Sequence, residues 1–431
     1  MKAMNVLMFG WEFPPHISGG LGTACYGITK AISAHPGIRL TFVIPKSWGD
    51  EPTENIKLIG ASDIDLIKSK IKIERFTNPH TFLSIQSKLT PYIDPGQYQK
   101  SSESAVKAGQ PAVAKIPESV KFTGQYNSGL MAEIHNFSVV AEHLATQGTY
   151  DIIHAHDWLT FPAGILAKKA TGKPLVVHVH ATDFDRSGGK ANPDVYNIEK
   201  AGMDSADKII TVSDHTGNIV NRKYSIHSSR LVTIHNGVDP VQWKKISRRK
   251  KNKRTKIVTF LGRITIQKGP RYFVEVAEKV LSHCSNVEFV MAGSGDLLLP
   301  MMEMVKKSSI ADKFHFPGFL KGNDVTRLLH MSDVYIMPSV SEPFGITPLE
   351  AMYCRVPVII SKQSGVSETI RHAITADFWD TDVMADAVYN LLKRPALKKM
   401  MVSKAAAEVK KITWEDTAAK IISVYEQFLR A

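Results

Sequence analysis

Two doubly wound α/β domains are what this 431-residue sequence predicts, on three grounds. The chain exceeds the size at which a single hydrophobic core stops growing, so it should divide. Short runs that are apolar on both faces recur between helical patterns, as parallel strands buried in a sheet do. Those runs form two groups, one on each side of residues 240–256. The expected limits are a first Rossmann-like domain over 1–243 and a linker over 244–256. A second Rossmann-like domain then covers 257–412, and a terminal helix over 413–431 packs back across the interface.

In the first group the runs are Val6–Phe9, Leu40–Ile44, Ile152–His156, Leu175–His180, Lys208–Val212 and Leu231–Ile234. In the second they are Lys256–Leu261, Val287–Ala292, Val334–Pro338 and Val356–Ile360. A helical pattern from Thr23 to Ser33 follows the first run, and Trp414–Leu429 carries apolar residues at helical spacing. Residues 96–127 are rich in Ser, Lys, Gly and Ala without periodicity and are expected to form an irregular insert.

Composition narrows the class. An apolar fraction of 43% and a charged fraction of 22% are those of an ordinary soluble protein. Cys25, Cys284 and Cys354 have no C-x-x-C spacing, which speaks for a reducing compartment. The N-terminal M-N-V-L-M-F-G-W-E-F-P-P is too short an apolar stretch for a signal segment, and no window of 18 apolar residues occurs. A cytoplasmic location is the expectation. The net charge of +13 is concentrated in one place. Residues 244–256 read K-K-I-S-R-R-K-K-N-K-R-T-K, nine basic residues and no acid, and the remainder carries only +4. This run reads as a solvated loop, or as a contact for a polyanion or an anionic membrane surface. It has no interleaved aromatics, so a nucleic-acid partner is not expected.

Ligands of open α/β sheets bind beyond the carboxyl ends of the strands, and the informative residues follow the runs. His16-Ile17-Ser18-Gly19-Gly20-Leu21-Gly22 comes after the first. Gly19 and Gly20 would let the backbone approach an anion, although a plain tight turn reads the same way. His154-Ala155-His156-Asp157-Trp158 and His178-Val179-His180 each place two imidazoles on one strand face. Four histidines at two strand ends raise a zinc reading, set against packing or hydrogen bonding to substrate; the expectation is no metal. Gly262-Arg263-Ile264-Thr265-Ile266-Gln267-Lys268-Gly269 follows the first strand of the second group. A planar guanidinium and a compact ammonium there suit a diphosphate.

Residues 341–350, S-E-P-F-G-I-T-P-L-E, hold two carboxylates around a bend. Thr347-Pro348-Leu349-Glu350 has the form of a capping box, which would give Glu350 a structural role. Glu342 has no such role and reads as an unpaired carboxylate facing ligand hydroxyls. The backbone N–H groups of Gly345, Ile346 and Thr347 would point into the cleft as an anion site. Three Asp-x-Asp pairs (Asp63/Asp65, Asp183/Asp185, Asp380/Asp382) read as compositional.

As an ordered set, G-G-L-G, H-A-H-D-W, V-H-A-T-D-F-D-R, H-N-G-V-D, G-R-I-T-I-Q-K-G and S-E-P-F-G-I-T-P-L-E-A-M resembles retaining glycosyltransferases of the GT-B fold. The likeness lies with the family-4 and family-5 group and is nearest the bacterial and archaeal glycogen (starch) synthases. It spans nearly the whole chain. It implies two Rossmann-like domains facing a central cleft, ADP-glucose or UDP-glucose as donor, an α-1,4-glucan acceptor, and no cofactor or metal. Arg263 and Lys268 would neutralise the leaving diphosphate, Glu342 would contact the donor sugar, and Glu350 the ribose. Gly19 and Gly20 would face phosphate, His180 the anomeric centre, and Asp157 the sugar pocket. One departure stands out. Family-5 synthases carry a Lys two residues before the paired glycines, where this chain has Ile17, and A-T-D-F-D-R after His180 is closer to family 4. The rivals are a family-4 enzyme acting on a lipid or small molecule, a sugar-nucleotide epimerase, and a glycoside hydrolase using Glu342 and Glu350.

Overall fold

The structure, a computed structural model, describes residues 3–17, 19–53, 55–64, 122–124, 126, 129–239 and 255–429. The insert expected over 96–127 lies outside these but for Phe122, Thr123, Gly124 and Tyr126, and the basic run lies outside them up to residue 254.

Two parallel sheets form. The first contains β1 (Met4–Phe9), β2 (Ile38–Ile44), β3 (Lys57–Gly60), β4 (Ile152–His156), β5 (Leu175–Val179), β6 (Lys208–Thr211) and β7 (Leu231–Thr233). The second contains β8 (Lys256–Leu261), β9 (Val287–Ala292), β10 (Phe314–Gly318), β11 (Val334–Met337), β12 (Val358–Ser361) and β13 (Ile374–Ala376). Their orders are β3-β2-β1-β4-β5-β6-β7 and β10-β9-β8-β11-β12-β13, so the strand order reverses between β1 and β4 and again between β8 and β11. Such reversals open a crevice at the strands' carboxyl ends. Two Rossmann-like units flanking a cleft make this the GT-B architecture.

The central strands match the apolar runs because both of their faces are covered: β4, β5 and β11 are buried at every residue. The strands that the sequence pattern missed are β3, β10 and β13. They lie at sheet edges and are partly exposed, so no continuous apolar run marks them.

The helix after β1 begins at Gly20, three residues before the expected start. Its first turn therefore includes Gly20, Leu21 and Gly22, and a Cβ on Gly22 would lie 2.3 Å from the Ile17 side chain. The terminal helix Trp414–Leu429 packs on this helix: a Cβ on Gly27 would meet the Trp414 indole at 2.2 Å. Trp414, Ile421 and Tyr425 belong to the same apolar core as β1, β4 and β5.

Candidate functional site

The second crevice is lined by the loops after β8 and β11. Gly269 ends the first loop at φ +62, and a Cβ there would strike the Pro338 carbonyl at 2.1 Å, so only glycine fits between the loops. This close passage brings Lys268 onto Glu342, and the two side chains form an ion pair. Ser339 donates to the same carboxylate at 3.1 Å. Glu342 is thus not the unpaired carboxylate expected; strand-end geometry places an ammonium and a hydroxyl on it. Arg263 donates to the Gln267 side chain at 3.1 Å, and the Gln267 carbonyl accepts from Val340 N–H at 2.9 Å. Arg263, Lys268 and Glu342 therefore stand on two loops joined backbone to backbone.

Gly345 turns the chain at φ +100 into the helix Thr347–Tyr353. The capping box does not form. Ile346 occupies the cap position, Thr347 is already helical, and no side chain caps the end. Glu350 is left without the capping role, and burial pushes its carboxyl up to about 7.

On the first sheet, His154 and His156 of β4 stand beside His178 of β5 and His180 just beyond it, with His156 paired in register to His178. All four imidazoles are buried and lie nearly parallel, with neighbouring centroids 4.3–5.5 Å apart. His156 Nδ1 is 2.8 Å from His180 Nε2, and His154 Nδ1 is 2.5 Å from the Tyr425 hydroxyl. Burial lowers all four from the ordinary imidazole range, His154 and His180 to about 3, so the rings are neutral.

Asp157 caps β4 with φ +58 and is 2% exposed. It accepts from His180 N–H at 2.6 Å and Ala181 N–H at 3.3 Å, and pairs with Arg186 at 3.3 Å. Burial raises its carboxyl to about 6, against the pull of Arg186 and the two N–H donors. Arg186 also holds Glu199 at 3.2 Å. Glu199 accepts in turn from the Tyr224 hydroxyl and from Asp183 N–H, and burial raises it to about 7. Sequence reasoning missed Arg186 and Glu199; only a glutamate on the buried stripe of the helix Pro193–Ser205 could have signalled the latter. The second Asp-x-Asp pair is structural rather than compositional: Asp183 accepts from Asn192 N–H at 2.6 Å, and Asp185 from both Thr182 N–H and the Ser341 hydroxyl. Asp380 caps a helix through Val383 N–H.

The two units touch beside these residues. Ser213 donates to the Pro343 carbonyl, and Glu368 accepts from Asp214 N–H and His215 N–H, each at 2.8 Å, and lies 2.8 Å from His235 Nε2. Gly19 and Gly20 stand at the first crevice, and a Cβ on Gly20 would meet nothing within 4 Å. No helix among the described residues is long and apolar enough to cross a membrane.

Comparison with known proteins agrees with this geometry. Residues 106–242 match the model for glycosyltransferase family 4, and residues 241–408 the model for group 1 glycosyl transferases. The chain is 26% identical to an uncharacterized glycosyltransferase of Methanocaldococcus jannaschii, covering 98% of each. It is 22% identical to a glycogen synthase of Mycobacterium tuberculosis, covering 98% of this chain and 94% of that one. The fold resembles sucrose-phosphate synthase from Thermosynechococcus elongatus, with a TM-score of 0.72, 16% identity and 99% of each chain covered.

Proposed function

Because the chain is a GT-B-fold glycosyltransferase related to the group 1 and family 4 enzymes, moving a sugar from a nucleotide-activated donor to a polysaccharide or small-molecule acceptor, we propose that it transfers glucose from ADP-glucose or UDP-glucose to the non-reducing end of an α-1,4-glucan, with retention of configuration. The observation that carries this reading is the meeting of Lys268 with Glu342 at the second crevice, on loops tied to that of Arg263.

In the free protein the ammonium and the carboxylate neutralise each other. An arriving diphosphate takes Lys268 and Arg263 as partners, and Glu342 is released toward the donor sugar's hydroxyls. Glu350 accepts from the ribose, and the backbone N–H groups of Gly345, Ile346 and Thr347 face the phosphates. Gly19 and Gly20 approach from the first unit. His180, whose backbone is held by Asp157, lies at the anomeric carbon. As the glycosidic C–O bond to the diphosphate breaks, the sugar passes through an oxocarbenium-like state. The leaving oxygen gathers charge that Lys268 and Arg263 stabilise, and that phosphate takes the proton of the attacking hydroxyl. The domain limits that go with this mechanism are 1–243 and 257–412, with 413–431 returning to the first domain. Residues 244–256 then form the connecting linker and a basic contact for an anionic surface.

A second reading, a family-4 enzyme with a lipid or small-molecule acceptor, is favoured by Ile17 where the glucan synthases have Lys. The test is release of nucleoside diphosphate from ADP-glucose and from UDP-glucose, each with and without glycogen. Release that requires glycogen supports the glucan reading and identifies the donor. Release with either donor that glycogen leaves unchanged contradicts it.

A further inference from the structure

We propose that His154, His156 and His178 form a binding site for a transition-metal cation of the zinc class, buried beneath the first crevice. Each of the three offers a ring nitrogen, and these nitrogens lie within 4.8 Å of one another. All three residues are 0% exposed. Nε2 of His154, Nε2 of His156 and both nitrogens of His178 have no hydrogen-bond partner in the structure. A buried polar atom left unsatisfied is costly, and here several such atoms are gathered at one place.

The remaining nitrogens supply the second, independent observation. Nδ1 of His154 bonds the Tyr425 hydroxyl, and Nδ1 of His156 bonds Nε2 of His180. Metal-ligating histidines commonly hold their second nitrogen in a hydrogen bond of this kind, which fixes the tautomer and aims the other nitrogen at the ion. With Nε2 of His156 on a cation, its Nδ1 carries the proton and donates to His180 Nε2, so the ion would set the tautomer of His180. Three imidazoles and one open position suit Zn2+. Zinc–nitrogen bonds of about 2.0–2.1 Å place ligand nitrogens about 3.4 Å apart. The rings, now within 25° of parallel, close on an ion by turning about their Cβ–Cγ bonds, a soft torsion for histidine. His180, just beyond the end of β5 and 8% exposed, is the member of the stack nearest the crevice.

The site is distinct from the exposed group His16, Asp50 and Glu51, which also brings three ligand atoms together. Chelator-treated full-length protein is to be dialysed against Zn2+ and its metal content measured, and Co2+ is to be titrated while visible absorption is followed. The expected result is one ion per chain with the intense absorption of four-coordinate Co2+. That binding is unchanged in Asp50→Ala and at least tenfold weaker in His154→Phe and His178→Phe. In Tyr425→Phe, which removes only the hydroxyl beyond the ligand, it is about tenfold weaker. Absence of stoichiometric binding overturns the site. So does binding that Asp50→Ala abolishes, or binding that survives in folded His154→Phe and His178→Phe. If those two variants do not fold, the wild-type Co2+ spectrum decides: weak six-coordinate bands overturn the proposal.

Discussion

Glu199 shows how a single buried residue can govern the chemistry around it. It is 2% exposed, and Arg186 binds both it and Asp157. Burial lifts its carboxyl from 4.5 to about 7. Between those values the folded protein holds one proton more than the unfolded chain, so stability falls as pH rises through this window and levels off above it. Each pH unit should cost about 1.4 kcal/mol through this residue. Glu199→Gln should lower the slope read from urea unfolding between pH 5 and 7 by this amount, leaving the shares of Asp157 and Glu350, which burial also raises; an unchanged slope would contradict the assignment. Arg263, Lys268 and Glu342 were visible in the sequence because they lie in the loops after apolar runs, and the histidines because they stand at the ends of such runs. That Lys268 would meet Glu342, 74 positions away, was not, since the pairing depends on which strands lie side by side.

Among elements, the central strands and the edge strand β7 were legible, whereas the edge strands β3, β10 and β13 were not, because exposed or polar positions interrupt their apolar runs. The helix Thr347–Tyr353 shows the opposite failure. Its T-P-L-E pattern matched a cap, yet the helix starts one residue early, with Ile346 in the cap position and Thr347 already helical, so the Thr347 side chain is not placed to cap it. The terminal helix Trp414–Leu429 was readable as a helix, and its docking explains glycines that the sequence left unexplained. Gly27 leaves room for the Trp414 ring, and Gly237 for the backbone at Thr413 and Trp414. Trp414 is 7% exposed, so Trp414→Ala should destabilise the protein by about 3–5 kcal/mol. Denaturant unfolding measures this, and a loss below 1 kcal/mol would show that the helix is not held through this ring.

At the scale of the whole molecule, the structure is two strand-order reversals placed face to face, with contacts between the units gathered around Glu368 and Pro343. Glu368 satisfies two N–H groups at the start of the helix Asp214–Tyr224 and pairs with His235. Glu368→Ala should leave both units folded while opening the cleft, seen as a larger radius of gyration in solution scattering without donor; an unchanged radius would place the hinge restraint elsewhere. The central claim is that a nucleoside diphosphate docks on Lys268 and Arg263, displacing Glu342. Calorimetric titration of ADP and UDP into the wild type, Lys268→Ala and Glu342→Ala tests it most directly. The account predicts binding to the wild type that weakens at least tenfold in Lys268→Ala but is retained or tightened in Glu342→Ala, where the competing carboxylate is gone. Equal affinity in the wild type and Lys268→Ala, or loss of binding in Glu342→Ala, would contradict it.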